Sequence, residues 1–166
     1  YGMSFMLPSD FPIVDDRLVM GQWKQGMAGD KHPLIAQRFV NNTWYYTINV
    51  GILEETFYLD ELELGVWHDM VYNILFTPSS RGYFRAWHNG TQIIDYEGRT
   101  AYEYVAQRFY HKFGIYRDSW PTSWTIFFDK YDITNQKCNS ILTIFQCVFS
   151  YSIGKSYEDV NPTRFD

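Results

Sequence analysis

An all-β fold, built as a two-sheet antiparallel sandwich or jelly roll, is what this chain predicts, and three observations predict it. Aromatic residues fill 20% of the 166 positions, with 14 Tyr, 13 Phe and 6 Trp. In short runs such residues favour strands over a helical bundle. Apolar and polar residues alternate with period two through most segments, and turn residues recur between them at short spacing. The length suits one domain with a substantial core, and no repeat, linker or low-complexity tract divides residues 1–166.

The segments follow one another in order. Ser4 to Leu7 reads as a strand stopped by Pro8, and Leu18 to Gln25 as one stopped by a loop holding Gly26, Gly29 and Asp30. Ile35 to Val40 and Thr43 to Val50 flank Asn41-Asn42, a natural hairpin turn. Glu55 to Leu62 comes next, then Trp67 to Thr77, where His68, Met70, Tyr72, Ile74 and Phe76 make an apolar face. After the loop from Pro78 to Gly82, Tyr83 to His88 and Gln92 to Tyr96 are joined by Asn89-Gly90, the strongest hairpin signal in the chain. Thr100 to Gln107 is the one short helical piece expected. Trp124 to Tyr131 closes a set of nine or ten strands.

The strand from Arg108 to Arg117 carries the most information. Period two puts Tyr110, Lys112, Gly114 and Tyr116 on one face, and Phe109, His111, Phe113 and Ile115 on the other, mostly apolar one. A lysine, a bare glycine and two tyrosines on the open face look like the floor of a cleft. Glycine there lets a ligand approach the backbone closely. The alternative is a half-exposed strand whose polar residues only meet water.

Composition narrows the partners. A net charge of −5 and a pI near 5.3 argue against nucleic acid. A cleft can still be locally basic on an acidic protein, and abundant Tyr and Trp suit sugars, whose apolar faces stack on aromatic rings. Cys138 and Cys147 make no disulfide framework or zinc spacing, and His32, His68, His88 and His111 form no ligand pair, so neither metal nor cofactor is expected. Ile141 to Ile153 is too short and too interrupted to span a bilayer, so no membrane partner is expected either. Two sequons, at Asn41 and Asn89, sit at turns. The chain opens at Tyr1 without an initiator methionine or signal peptide, so processing or a fragment is expected.

Three segments together carry a family resemblance: Val19-Met20-Gly21-Gln22-Trp23-Lys24-Gln25, the hairpin from Gly82 to Gly90, and Phe109-Tyr110-His111-Lys112-Phe113-Gly114-Ile115-Tyr116-Arg117-Asp118. They resemble the heparin-lyase-I-like polysaccharide lyases, a family bordering on the glucuronan lyases. The likeness covers residues 1 to about 132 and resumes faintly from Gly154 to Asp166. It implies a concanavalin-like jelly roll with a concave groove. It also implies a secreted, monomeric enzyme that cleaves an acidic, glucuronan- or heparin-like polysaccharide by β-elimination beside a uronate. Members open with an earlier strand bearing Arg-x-Glu, so this chain is expected to be truncated at its N-terminus. Many carry histidine where Lys24 stands, which leaves the identity of the base open. Residues 133–153 have no place in the pattern and are expected to be an atypical insertion, either lineage-specific or an intervening sequence translated in error.

The resemblance matches Tyr116 to the family's catalytic tyrosine. A free phenol titrates near 10, so such a base needs a cation close by. Lys112 lies four residues away on the same face, roughly 13 Å along an ideal strand. Gln22 and Lys24 share a face on their own strand, where they would clamp the uronate carboxylate or, for Lys24, supply the base; their alternative is ordinary solvent exposure. Arg38 and Tyr110 are further binding candidates, and Gln37 a weaker one because it projects to the opposite side. Arg117 points away, His111 belongs with the apolar face, and His88 reads as a surface residue. His32, ahead of a proline, is within reach of the groove. Two other functions compete. A non-catalytic carbohydrate-binding sandwich would keep the groove without needing Tyr116. A glycoside hydrolase needs two carboxylates flanking the bond, for which Glu61 with Glu63 and the Glu54-Glu55 pair are the available groups.

Overall fold

The computed structural model describes residues 1–26, 32–103, 108–117 and 123–133, together with a strand at 155–158. Two antiparallel sheets stack as a sandwich. One has six strands in the order β11-β10-β1-β6-β7-β8, the other five in the order β5-β4-β3-β2-β9. The strands are β1 (Gly2–Met6), β2 (Leu18–Gln25), β3 (Ile35–Val40), β4 (Thr43–Val50), β5 (Leu53–Glu61), β6 (His68–Leu75), β7 (Tyr83–His88), β8 (Thr91–Glu97), β9 (Phe109–Arg117), β10 (Thr125–Asp132) and β11 (Lys155–Glu158). The all-β sandwich expected from the alternation is the fold observed.

Both asparagine turns form as read. Asn41 and Asn42 take φ of 48° and 60° between β3 and β4, while Asn89 and Gly90 take 47° and 84° between β7 and β8. Left-handed backbone at both central positions matches the twist of the flanking strands. Alternation then sends Trp23, Ile35, Tyr46 and Ile48 inward from the five-stranded sheet. Phe5, Met70, Tyr72 and Phe84 meet them from the six-stranded sheet. Trp23 meets Tyr72 edge-on with centroids 4.8 Å apart. Burying each such side chain contributes roughly 1.5–3 kcal/mol.

The helical piece expected from Thr100 does not form over 100–103, and 104–107 lie outside the described residues. Thr100 is committed elsewhere: its hydroxyl donates to the Leu75 carbonyl at 2.6 Å and accepts from the Thr77 amide at 3.0 Å. Those bonds tie it to the end of β6, where a helical turn cannot start. The segment 134–154, which holds most of the expected insertion, also lies outside the described residues. Among the described residues, no helix is long and apolar enough to cross a membrane.

Candidate functional site

The outer face of the five-stranded sheet carries the site, and register decides which side chains reach it. Across β9, β2 and β3, Tyr116 pairs with Val19 and Val19 with Arg38; one row along, Lys112 pairs with Gln22 and Gln22 with Ala36. Between these rows the count of residues differs from strand to strand. Arg38 to Gln37 is one step on β3, Val19 to Gly21 two steps on β2, and Tyr116 to Phe113 three steps on β9. Two bulges therefore lie side by side, a device that re-aims side chains and is common beside active sites. Gly114 sits in the β9 bulge with φ of +134°, a conformation that glycine adopts without strain, and a Cβ there would meet open space. The bulge also shortens the separation expected on an ideal strand: the partners of Tyr116 and Lys112 on β2 are three residues apart, roughly 10 Å.

A cleft of about 490 Å3 opens over these bulges, a size that suits a small-molecule or sugar site. Arg17, Gln22, Lys24, His32, Arg38, Lys112 and Tyr116 line it, with Gly21, Phe113, Gly114 and Ile115 contributing to the floor. Its charged and titratable lining is Arg17, Lys24, His32, Arg38, Lys112 and Tyr116, and among the described residues no aspartate or glutamate belongs to it, although the Glu54 carboxylate acts on Arg38 from beyond the lining. On a chain of net charge −5 this is a local reversal of sign. Tyr116 is 57% exposed, with the Arg17 guanidinium 5.6 Å from its ring centroid. Arg38 donates from Nε to the Thr47 hydroxyl at 3.1 Å, which fixes its head group, and partial burial lowers its pKa.

Gln22, Lys24, Arg38, Lys112 and Tyr116 thus come together. Tyr110 shares their face, opposite Lys24, with the Lys112 ammonium 5.6 Å from its ring, but it stands beyond the cleft lining. Gln37 does not belong to the site. It is fully buried between the sheets, where Oε1 accepts a hydrogen bond from the Tyr72 hydroxyl at 3.3 Å, because its neighbour Arg38 takes the outward position. Tyr72 is in turn 2.9 Å from the Tyr46 hydroxyl, and burial raises both phenols.

The histidines separate clearly. His111 lies inward, stacked on Trp23 at 4.3 Å, with Nδ1 3.3 Å from the Tyr131 hydroxyl. Burial, reinforced by the amino-terminal charge, pulls its pKa down to about 3, so it is a neutral core residue. His88 is half-buried: its Nε2 is 2.9 Å from Nδ1 of buried His68, whose Nε2 faces the Glu63 carbonyl at 2.8 Å. A carbonyl only accepts, so His68 carries its proton on Nε2 and His88 donates to Nδ1. His32 alone enters the cleft lining. Arg117 points away, its guanidinium over Trp124 at 4.7 Å.

Arg17 went unread in the sequence. Strict alternation on β2 sets residue 17 opposite to Gln22 and Lys24, and the extra residue at the Val19/Gly21 irregularity reverses that parity. The carboxylates proposed for hydrolysis are elsewhere: Glu61 and Glu63 line a shallow depression with Ile13 and Asn42. Among the described residues, no group of three or more His, Cys, Asp or Glu is placed to hold a metal ion.

With this geometry in hand, a family model described as polysaccharide lyase matches residues 1–132. The chain belongs to the polysaccharide lyase family. The match covers every strand from β1 to β10 and therefore the whole cleft. A similar solved structure is the endo-β-1,4-glucuronan lyase from the fungus Trichoderma reesei, with a TM-score of 0.59 and 21% identity. The alignment covers 72% of this chain and 56% of that one, so the chain spans a little over half the length of that lyase. No curated protein matches the chain.

Proposed function

We propose that this family member cleaves a uronate-containing polysaccharide by β-elimination in the cleft over β9, β2 and β3. The observation that carries the reading is a tyrosine with an arginine beside its ring, in a cleft whose described lining is basic and holds no carboxylate. Support also comes from the family and from a fold shared with a lyase whose stated substrate is β-1,4-glucuronan, which makes a glucuronan-like polymer the first choice.

The hard step is removal of the C5 proton, weakly acidic until the adjacent carboxylate is neutralised. Gln22 and Lys112, paired across β2 and β9, hold that carboxylate and stabilise the enolate as its charge develops, commonly the largest catalytic contribution. Tyr116 takes the C5 proton, with Arg17 supplying positive charge beside its ring. Electrons from the C5–H bond form the C4=C5 double bond, the C4–O bond breaks, and the departing oxygen receives a proton. Tyr116 can return the proton it took when both groups leave from one face. Lys24 and Arg38 flank the centre and bind neighbouring carboxylates. His32 is the other base in reach, and Tyr116→Phe beside His32→Ala separates the two.

Product mass tests the reading. Elimination adds no water, so the masses of the fragments from a defined oligoglucuronate are expected to sum to that of the substrate. Fragments heavier by one water in total, or binding with no product, contradict it.

A further inference from the structure

The row that contains Tyr116 does not end at the cleft. From Arg38 the register continues to Tyr45 on β4 and to Tyr58 on β5, the edge strand of the sheet. Tyr45 lies on the outer face, because its neighbours Trp44 and Tyr46 point into the core, and Tyr58, paired with it and flanked by the core-packed Phe57 and Leu59, lies there too. The two rings form an adjacent pair, centroids 5.5 Å apart and tilted by 34°, and Tyr58 is 73% exposed. The next row over is low: Ala36, Thr47 and Thr56 leave a shelf of one methyl group and two hydroxyl-bearing side chains beside the rings.

We infer that Tyr45 and Tyr58 form a sugar-stacking platform, a further subsite of the same polyuronate chain, reached by crossing the strands from Tyr116 past Arg38. This rests on the elimination reading for the identity of the polymer. Four strand spacings separate β9 from β5, roughly 19 Å, so the platform takes a unit several sugars away from the bond that breaks. A pyranose ring offers one face of C–H bonds to a tyrosine plane while its hydroxyls stay hydrated. Arg38 stands one strand from Tyr45, roughly 5 Å, where it meets the carboxylate of a uronate stacked on the pair. The platform therefore selects for chain length, while Arg38, which also feels the Glu54 carboxylate of β5, supplies the positive charge next to it.

The test uses Tyr58→Ala, Tyr58→Phe and Tyr45→Ala in the full chain, with oligoglucuronates from trimer to octamer and the polymer. Both turnover and calorimetric affinity are read. Each alanine variant is expected to weaken KM and affinity roughly fivefold to tenfold for long chains, with a penalty that shrinks as the chain shortens. Tyr58→Phe, which keeps the ring, is expected to stay within about twofold of wild type on long chains. Equal losses at every length, or none at any, overturn the platform. If wild type binds long chains without cleaving them, the elimination reading fails while the affinity series still decides the platform. If wild type neither binds nor cleaves, both fall.

Discussion

Under the proposed elimination Arg17 and Lys112 divide the work around Tyr116, and substitution separates them. Arg17 faces the tyrosine ring at 5.6 Å, so Arg17→Ala is expected to lower kcat about twofold to thirtyfold, the equivalent of roughly 0.5–2 kcal/mol, with KM little changed and with recovery in Arg17→Lys. Lys112 pairs with Gln22 across β9 and β2, and under the proposed elimination the two hold the substrate carboxylate, so Lys112→Ala is expected to reduce kcat/KM by tenfold or more; steady-state kinetics on glucuronan reads both. At this scale the sequence was informative wherever alternation ran unbroken. Gln22 shared a face with Lys24 and Gln37 took the side opposite to Arg38, both as expected, while Lys112 and Tyr116 kept a common face across the β9 bulge because its three steps from Phe113 to Tyr116 preserve their parity. Arg17 stayed hidden because its parity with Gln22 depends on a bulge that no residue type announces.

At the scale of the element, the β9 bulge is what brings Tyr116 and Lys112 into one cleft. Gly114→Ala places a side chain at φ of +134°, where only glycine is unstrained. It is expected to cost about 1–3 kcal/mol of stability by chemical denaturation. It should also lower kcat as the bulge relaxes and Tyr116 turns, even though the added methyl group has room. Unchanged kcat in a folded variant contradicts a positioning role for the bulge. Hairpins were legible because each turn is local, set by Asn-Asn or Asn-Gly at its two central residues. The pairing of Gly2 with Asp132 was not, because two distant segments meet there through shared core burial rather than any local signal. The expected helix failed for a similar reason: long-range bonds to Leu75 and Thr77 claimed Thr100.

For the whole molecule, two opposing charge patterns and a histidine-bearing core set the response to solvent. The cleft is basic on an acidic chain, so KM for a polyuronate is expected to rise with salt as screening shortens the reach of Arg17, Lys24, Arg38 and Lys112. Acid should weaken the fold. His111 is held neutral with its pKa near 3, and burial lowers His68 and His88 as well. In this window the unfolded chain binds more protons than the folded one. The contribution of His111 is therefore full above the unfolded histidine value of about 6.5 and falls as pH drops toward 3, by at most roughly 1.4 kcal/mol per pH unit, and His68 and His88 add losses of the same sign. His111→Phe keeps the stack on Trp23 and removes one titration, so its melting temperature should fall less steeply over that range; a slope equal to wild type contradicts the account. Composition and alternation made the sandwich readable and put Lys24, Arg38 and Lys112 among the groove candidates, whereas the place of Arg17 in the cleft emerged only when β9, β2, β3 and the residues beside them were assembled. The most direct measurement is ultraviolet absorbance during incubation with glucuronan, heparin, heparan sulfate and alginate, wild type beside Tyr116→Phe. The account predicts rising absorbance from a 4,5-unsaturated product on glucuronan, reduced roughly 10²- to 10⁴-fold in the variant with affinity retained. No absorbance with any polymer, or equal rates in the two proteins, would contradict it.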